Sequence, residues 1–114
     1  MPDGKIQVQF TAEFKSQLQN LAKRYRQIRG DLQPLLEQLQ NGEVPGEQIA
    51  GTGYTVFKVG VKNSDIQKGK RAGYRVIYQL DAKSVVLLLI YTKSDLATVS
   101  ATEIQAVIQN SLQD

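Results

Sequence analysis

The segment Val85–Tyr91 reads Val-Val-Leu-Leu-Leu-Ile-Tyr and offers no polar side chain to solvent on either parity. It is far shorter than the roughly 20 apolar residues that cross a bilayer, and the hairpin-length turn Asp81-Ala82-Lys83-Ser84 precedes it. A strand that is apolar on both faces belongs in the middle of a sheet, covered on both sides. The rest of the chain must supply neighbours and cover for it.

The flanking periodicities provide them. Lys5-Ile6-Gln7-Val8-Gln9-Phe10 alternates polar and apolar, which predicts a short half-buried strand. Thr11 can cap the helix that follows, with Glu13 in its first turn. Phe14, Leu18, Leu21, Ala22, Tyr25 and Ile28 recur at helical spacing, and Gly30 is expected to end this helix. Asp31 is expected to cap a second helix, with Pro34 early in it and Leu32, Leu35, Leu36 and Leu39 on its apolar face. The short join makes the pair an antiparallel αα-hairpin. Residues 42–53, with Gly42, Pro45, Gly46, Gly51 and Gly53, read as turn and connection. Period two then returns in Tyr54–Val61 and Tyr74–Leu80, on either side of a polar loop from Asn63 to Gly73. Ser100-Ala101-Thr102-Glu103 is a capping box, with Val99 and Ile104 at the staple positions, so a terminal helix follows. Its stripe of Ile104, Val107, Ile108 and Leu112 needs a surface and is expected to pack behind the sheet. The fold class is α+β: an N-terminal strand and αα-hairpin packed on a mostly antiparallel sheet, in the order β-α-α-β-β-β-α. At 114 residues the chain is one domain, 1–114. No apolar h-region follows Met1, so the reading is a cytoplasmic protein with no membrane partner.

The chain has no Cys, no His and no Trp. Disulfides, thiolate nucleophiles, imidazole bases and the usual zinc sites are thereby excluded. Any chemistry must come from Lys, Arg, Tyr, hydroxyls or carboxylates. The net charge of +3 is modest, but it is unevenly placed. Lys58, Lys62, Lys68, Lys70, Arg71 and Arg75 stand together with Asp65 as their only acid, a local excess of five. Lys23, Arg24, Arg26 and Arg29 form a second cluster, and Asp31, Glu37, Glu43 and Glu47 sit apart. Such segregation is what the electrostatic footprint of a polyanion-binding protein looks like, although a basic loop is equally often only a solvated one. Cations closing a helix also offset its macrodipole, so the second cluster has a purely structural reading as well. Strand parity places Lys58, Gly60 and Lys62 on one face of their strand and Arg75 on the corresponding face of the next. If the apolar rows pack under helices, these basic groups share an open face. Leu87, Leu89, Tyr91 and Lys93 form one parity set, whose polar end can reach the same cleft. An arginine in mid-strand needs an acidic partner or a phosphate.

Familiar nucleotide motifs fail. Gly69-Lys70 lacks the upstream glycine of a phosphate-binding loop, since position 64 is Ser64, and Arg71 stands where Ser or Thr is required. Gly51-Thr52-Gly53 lacks a third glycine and precedes a strand. The carboxylates are single and scattered, which suggests neither an acid–base couple nor a metal site.

The run Val61-Lys62-Asn63-Ser64-Asp65, then Lys68-Gly69-Lys70-Arg71-Ala72-Gly73-Tyr74-Arg75-Val76-Ile77-Tyr78, resembles the RelE/ParE toxin superfamily of bacterial type II toxin–antitoxin systems, nearest its RelE-like and HigB-like branch. Leu88-Leu89-Ile90-Tyr91-Thr92-Lys93-Ser94 is similar to the last strand of that group, and Lys23-Arg24-Tyr25-Arg26 to the end of its first helix. The resemblance implies a RelE-like fold and a cytoplasmic toxin blocked by a cognate antitoxin. It further implies a ribosome-dependent endoribonuclease that cuts mRNA without metal or small-molecule cofactor. ParE-like members share the fold but inhibit DNA gyrase and cut no RNA. A toxin fold that has lost activity and only binds RNA is a third reading.

Metal-free cleavage uses the 2′-hydroxyl as nucleophile on the adjacent phosphate. Parity and the resemblance together cast Arg75 as the clamp on the phosphorane, because its fork binds two oxygens at once. Tyr91 is cast as base or as a stacking and positioning group, with a core-edge tyrosine as its plain structural reading, and Lys70 or Lys68 as the proton donor to the leaving oxygen. Lys58, Lys62, Arg71, Lys93, Lys23 and Arg26 are cast as RNA-binding.

Overall fold

A computed structural model describes residues 6–66, 73–95 and 98–112. Its elements are β1 (Gln7–Phe10), α1 (Ala12–Arg24), α2 (Ile28–Gln40), β2 (Glu47–Gln48), β3 (Val56–Val61), β4 (Tyr74–Leu80), β5 (Ser84–Thr92) and α3 (Ala101–Leu112). The sheet runs β1-β5-β4-β3-β2, with β1 parallel to β5 and the other pairs antiparallel. The all-apolar strand β5 is interior, as its sequence demands. The fold is the α+β architecture set out above, with one short strand added.

Each face of the sheet has its own core. On one, Phe14 and Leu21 of α1 and Ile28, Leu32, Leu35 and Leu39 of α2 cover Val61, Tyr74, Val76, Tyr78, Val85, Leu87 and Ile90. On the other, Ile104 and Ile108 of α3 pack with Val56, Ile77, Leu88, Leu89 and Tyr91. The terminal helix therefore does not pack behind the sheet on the hairpin side, and the face opposite the hairpin is not open along its length. The hairpin already fills the first face, and β5 leaves a second apolar set that α3 covers together with Ile49 and Tyr54. Gln105 fixes the helix further by donating from Nε2 to the Thr52 carbonyl at 2.8 Å. The capping box forms as expected: the Glu103 N–H donates to Ser100 Oγ at 3.1 Å, and Ser100 Oγ donates to Glu103 Oε1 at 3.1 Å. Val99 and Ile104 belong to the same cluster, completing the staple.

A register shift between Ile77 and Tyr78 alters the parity of β5. Ile77 pairs with Leu89 and Tyr78 with Leu87, so Leu88 is the extra residue of a bulge. Leu87 joins the hairpin core, while Leu88, Leu89 and Tyr91 face α3. The single parity set from Leu87 to Lys93 is thus broken, and only its Leu89–Tyr91 half stands.

The helix break also moves. It falls at Tyr25–Gln27, whereas Gly30 and Asp31 lie inside α2. Ile28, Leu32, Leu35 and Leu39 recur at i, i+4, i+7 and i+11, so one straight helix buries all four. Asp31 does not cap; its Oδ2 accepts from the N–H and Oγ of Ser64 at 2.9 and 3.0 Å. Asp65 Oδ2 caps the joint instead, accepting from the Gln27 N–H at 2.9 Å. Thr11 caps α1 as expected, accepting from the Phe14 N–H at 2.9 Å. The connection 42–53 contains the two-residue β2, which pairs Glu47 with Lys58 and Gln48 with Phe57. It is tied down by Tyr78, whose hydroxyl donates to the Pro45 carbonyl and whose ring stacks on Phe57 at 5.6 Å.

Gly73 stands where three strands converge. A Cβ there would collide with the Val61 carbonyl and press on the Asn63 nitrogen at 3.3 Å, while the Gly73 carbonyl accepts from the Lys93 N–H at 3.2 Å. The glycine of Gly-Tyr-Arg is thus required by a backbone approach. Gly73→Ala is expected to destabilise the fold by about 3 kcal/mol, read by denaturant unfolding, because rigid backbone must move to admit the methyl. A second test uses alkali. Burial pushes the Tyr78 phenol up to about 12. The fold holds its neutral form, so that contribution is intact below pH 10 and lost as pH rises from 10 through 12. Unfolding free energy followed from pH 9 to 12 should fall over that interval, and Tyr78→Phe should flatten part of the fall.

Candidate functional site

Strand pairing builds one row across the sheet. Gly60 of β3 lies opposite Arg75 of β4, and Arg75 lies opposite Tyr91 of β5. Tyr74, Val76, Val61 and Ile90 face the hairpin. Alternation therefore sends Arg75 and Tyr91 to the other face, at the end of the sheet where β3 finishes, β4 begins and β5 finishes. The Arg75 guanidinium is half-buried and donates from Nη1 to the Tyr74 carbonyl at 3.1 Å, and it makes further interactions besides. Tyr91 is 8% exposed, and its hydroxyl has no hydrogen-bond partner among the described residues. Burial raises the Tyr91 pKa, and the Arg75 charge pulls against that rise without reversing it. At neutral pH Tyr91 is therefore a phenol with a hydroxyl to donate, and a poor candidate for the base.

The other sequence-predicted residues distribute as follows. Lys58 lies on the same face, one row along and diagonal to Arg75, with Glu47 directly opposite it on β2. Lys62 follows the last residue of β3, is exposed, and lines a groove of about 160 Å³ at the sheet edge with Asp31, Pro34 and Gln38. It stands outside the Arg75 row. Lys93 is exposed in the turn after β5. Lys23 is exposed in the last turn of α1, and Arg26 is exposed in the joint between the helices. Lys68, Lys70 and Arg71 lie outside the described residues. The structure thus brings Arg75, Tyr91 and Lys58 onto one face. It sets Lys62, Lys93, Lys23 and Arg26 around the same end of the sheet.

That end is held by acids that the charge count treats only as dilution. Arg24 donates from Nη1 to Asp95 Oδ2 at 3.1 Å and lies over the Tyr25 ring, 5.0 Å from its centre. The pair is half-exposed, so its energetic worth is small. Its geometry nevertheless fixes the end of α1 to the turn after β5. The Thr92 hydroxyl and then Arg24 hold the Asp95 carboxyl below the usual range. Asp31 and Asp65 pin the start of the basic loop to the helical joint. A signal for this was present: the Asp65 N–H donates to Asn63 Oδ1 at 3.0 Å, the turn that Asn-Ser-Asp favours. The Glu47–Lys58 pairing gave no such signal, because a two-residue strand has no period.

Arg75 and Tyr91 are cross-strand partners, and the half-buried guanidinium is a donor fork suited to an oxyanion, above all a phosphate. Among the described residues no group of three or more carboxylates could hold a metal ion, and no helix is long and apolar enough to cross a membrane.

No curated protein matches the sequence. Among solved structures, the chain is similar to the free state of an arginine-to-alanine double mutant of the E. coli toxin RelE, at 18% identity over 96% of each chain and a TM-score of 0.54. At that identity the likeness concerns the fold. The family model described as the ParE toxin of the type II toxin–antitoxin system parDE matches residues 8–96, which spans β1 to the turn after β5 and contains the whole Gly60–Arg75–Tyr91 row. With most of its length matched, the chain belongs to the RelE/ParE superfamily of type II toxins, proteins whose partner is a cognate antitoxin.

Proposed function

We propose that this toxin is a ribosome-dependent endoribonuclease that inhibits translation by cutting mRNA. The observation that supports the reading is the cross-strand pair Arg75–Tyr91, an anion clamp beside a protonated hydroxyl at the basic end of the sheet. In the reaction the 2′-oxygen attacks the adjacent phosphorus and the bond to the 5′-oxygen breaks. The products are a 2′,3′-cyclic phosphate and a 5′-hydroxyl. A base takes the 2′-hydroxyl proton, and an acid returns one to the leaving oxygen. Arg75 holds two phosphorane oxygens through its fork. Tyr91, neutral, donates to the charge that develops there, and such preorganised donors supply much of the catalysis in acyl and phosphoryl transfer. Lys68 or Lys70 moves the proton to the leaving oxygen, and Lys58, Lys62, Arg71, Lys93, Lys23 and Arg26 hold the RNA backbone.

A second reading is inhibition of DNA gyrase with no RNA chemistry, and the ParE name of the matching family model favours it. Induction of the toxin followed by primer extension on a translated reporter separates the two. The nuclease reading expects codon-phased cuts that disappear when translation is blocked. Intact message with a DNA-damage response would replace it with the gyrase reading. Within the nuclease reading, Arg75→Ala is expected to lower cleavage by roughly 10²–10³-fold, with Arg75→Lys intermediate because an ammonium cannot grip two oxygens. Tyr91→Phe is expected to slow cleavage by about tenfold with no loss of stability, since the hydroxyl it removes has no hydrogen-bond partner among the described residues. Thermal unfolding of each variant checks the second half of that statement.

A further inference from the structure

Gly60 is a strand residue without a backbone reason to be glycine. Its φ is not positive, and it is not crowded by main chain as Gly73 is. It sits in the ladder opposite Arg75 and is exposed. A glycine in a strand interior weakens the strand, because it packs nothing and gives up more chain entropy. Among the described residues, the atoms within 4 Å of a Cβ at this position belong to one side chain: Arg75 Nη1 at 3.2 Å and Arg75 Cζ at 3.7 Å. The guanidinium occupies the space where the side chain of residue 60 would stand.

We propose that Gly60 is a positioning residue for Arg75: the missing side chain lets the guanidinium lie down over β3, in the place from which it grips the scissile phosphate. The inference rests on the nuclease reading for its functional meaning, but its geometric content does not. A methyl at 60 would force the fork aside by a few tenths of an ångström. A flexible side chain moves at little cost to the fold, whereas transition-state stabilisation is sensitive to displacements of that size. Tyr91, the other neighbour of Arg75 in the row, is buried. The buried phenol limits movement toward β5, so the guanidinium would be displaced from the position it holds over Gly60.

The test is a double-mutant cycle on the full-length chain. Gly60→Ala, Arg75→Lys and the double variant are compared with wild type in ribosome-dependent mRNA cleavage. The Arg75 Nε–H resonance and thermal unfolding are measured alongside. Gly60→Ala is expected to lower kcat about tenfold with KM within twofold, to leave the melting temperature unchanged or higher, and to shift the Nε–H resonance. In the Arg75→Lys background the same alanine is expected to cost nothing further, because the slimmer ammonium does not need the space. Wild-type cleavage by Gly60→Ala, or an equal loss in both backgrounds, overturns the proposal. If the wild-type toxin cuts no RNA, the nuclease reading fails by itself. The Nε–H resonance then decides the clearance alone: a shift in Gly60→Ala sustains it, and an unmoved resonance overturns it.

Discussion

The burial of β5 on both faces is the constraint from which the other placements follow. Seven consecutive apolar residues cannot lie at an edge or under one layer without exposing half of them. The helical hairpin covers one side and α3 the other. With both flanks of β5 occupied, Tyr91 enters the core under α3 while standing opposite Arg75 in the ladder. The environment that keeps this phenol protonated is thus a by-product of the packing that stabilises the fold. The cost is a buried hydroxyl with no hydrogen-bond partner among the described residues, a kind of group that most proteins avoid.

Around that centre the molecule spends its acids on geometry. Asp31, Asp65 and Asp95 each tie the helical hairpin to a turn at the same end of the sheet. They hold in register surfaces that carry Lys23, Arg26, Lys62 and Lys93, which would otherwise repel one another. Net charge therefore understates the electropositive character of this end. Three carboxylates that cancel charge in the total are placed to gather the cations.

Much of this was legible in the sequence wherever a period or a cap carried the information. The apolar run of β5, the Thr11 cap, the capping box at Ser100 and the alternation through β3 and β4 all hold. The shared face of Lys58 and Arg75 follows from that alternation. What was hidden obeys no local rule. The bulge at Leu88 reverses one parity, and only the pairing of Ile77 with Leu89 reveals it. The helix break prefers Tyr25–Gln27 to Gly30, because burying Ile28 with Leu32, Leu35 and Leu39 outweighs the local preference of a glycine to end a helix. The side chosen by α3 depends on which face the hairpin leaves uncovered, a global property. Glu47 meets Lys58 through a strand too short to leave a pattern.

The central claim is that the Arg75 row performs phosphoryl transfer on ribosome-bound message. It is tested most directly by the chemistry of the cut ends: purified toxin added to programmed ribosomes, with the 3′ terminus of the upstream fragment identified by mass spectrometry. The account predicts a 2′,3′-cyclic phosphate on that fragment, a 5′-hydroxyl on the other, and neither product from an Arg75→Ala toxin. Uncut message, accompanied by arrest of gyrase-catalysed supercoiling by the same preparation, would contradict it.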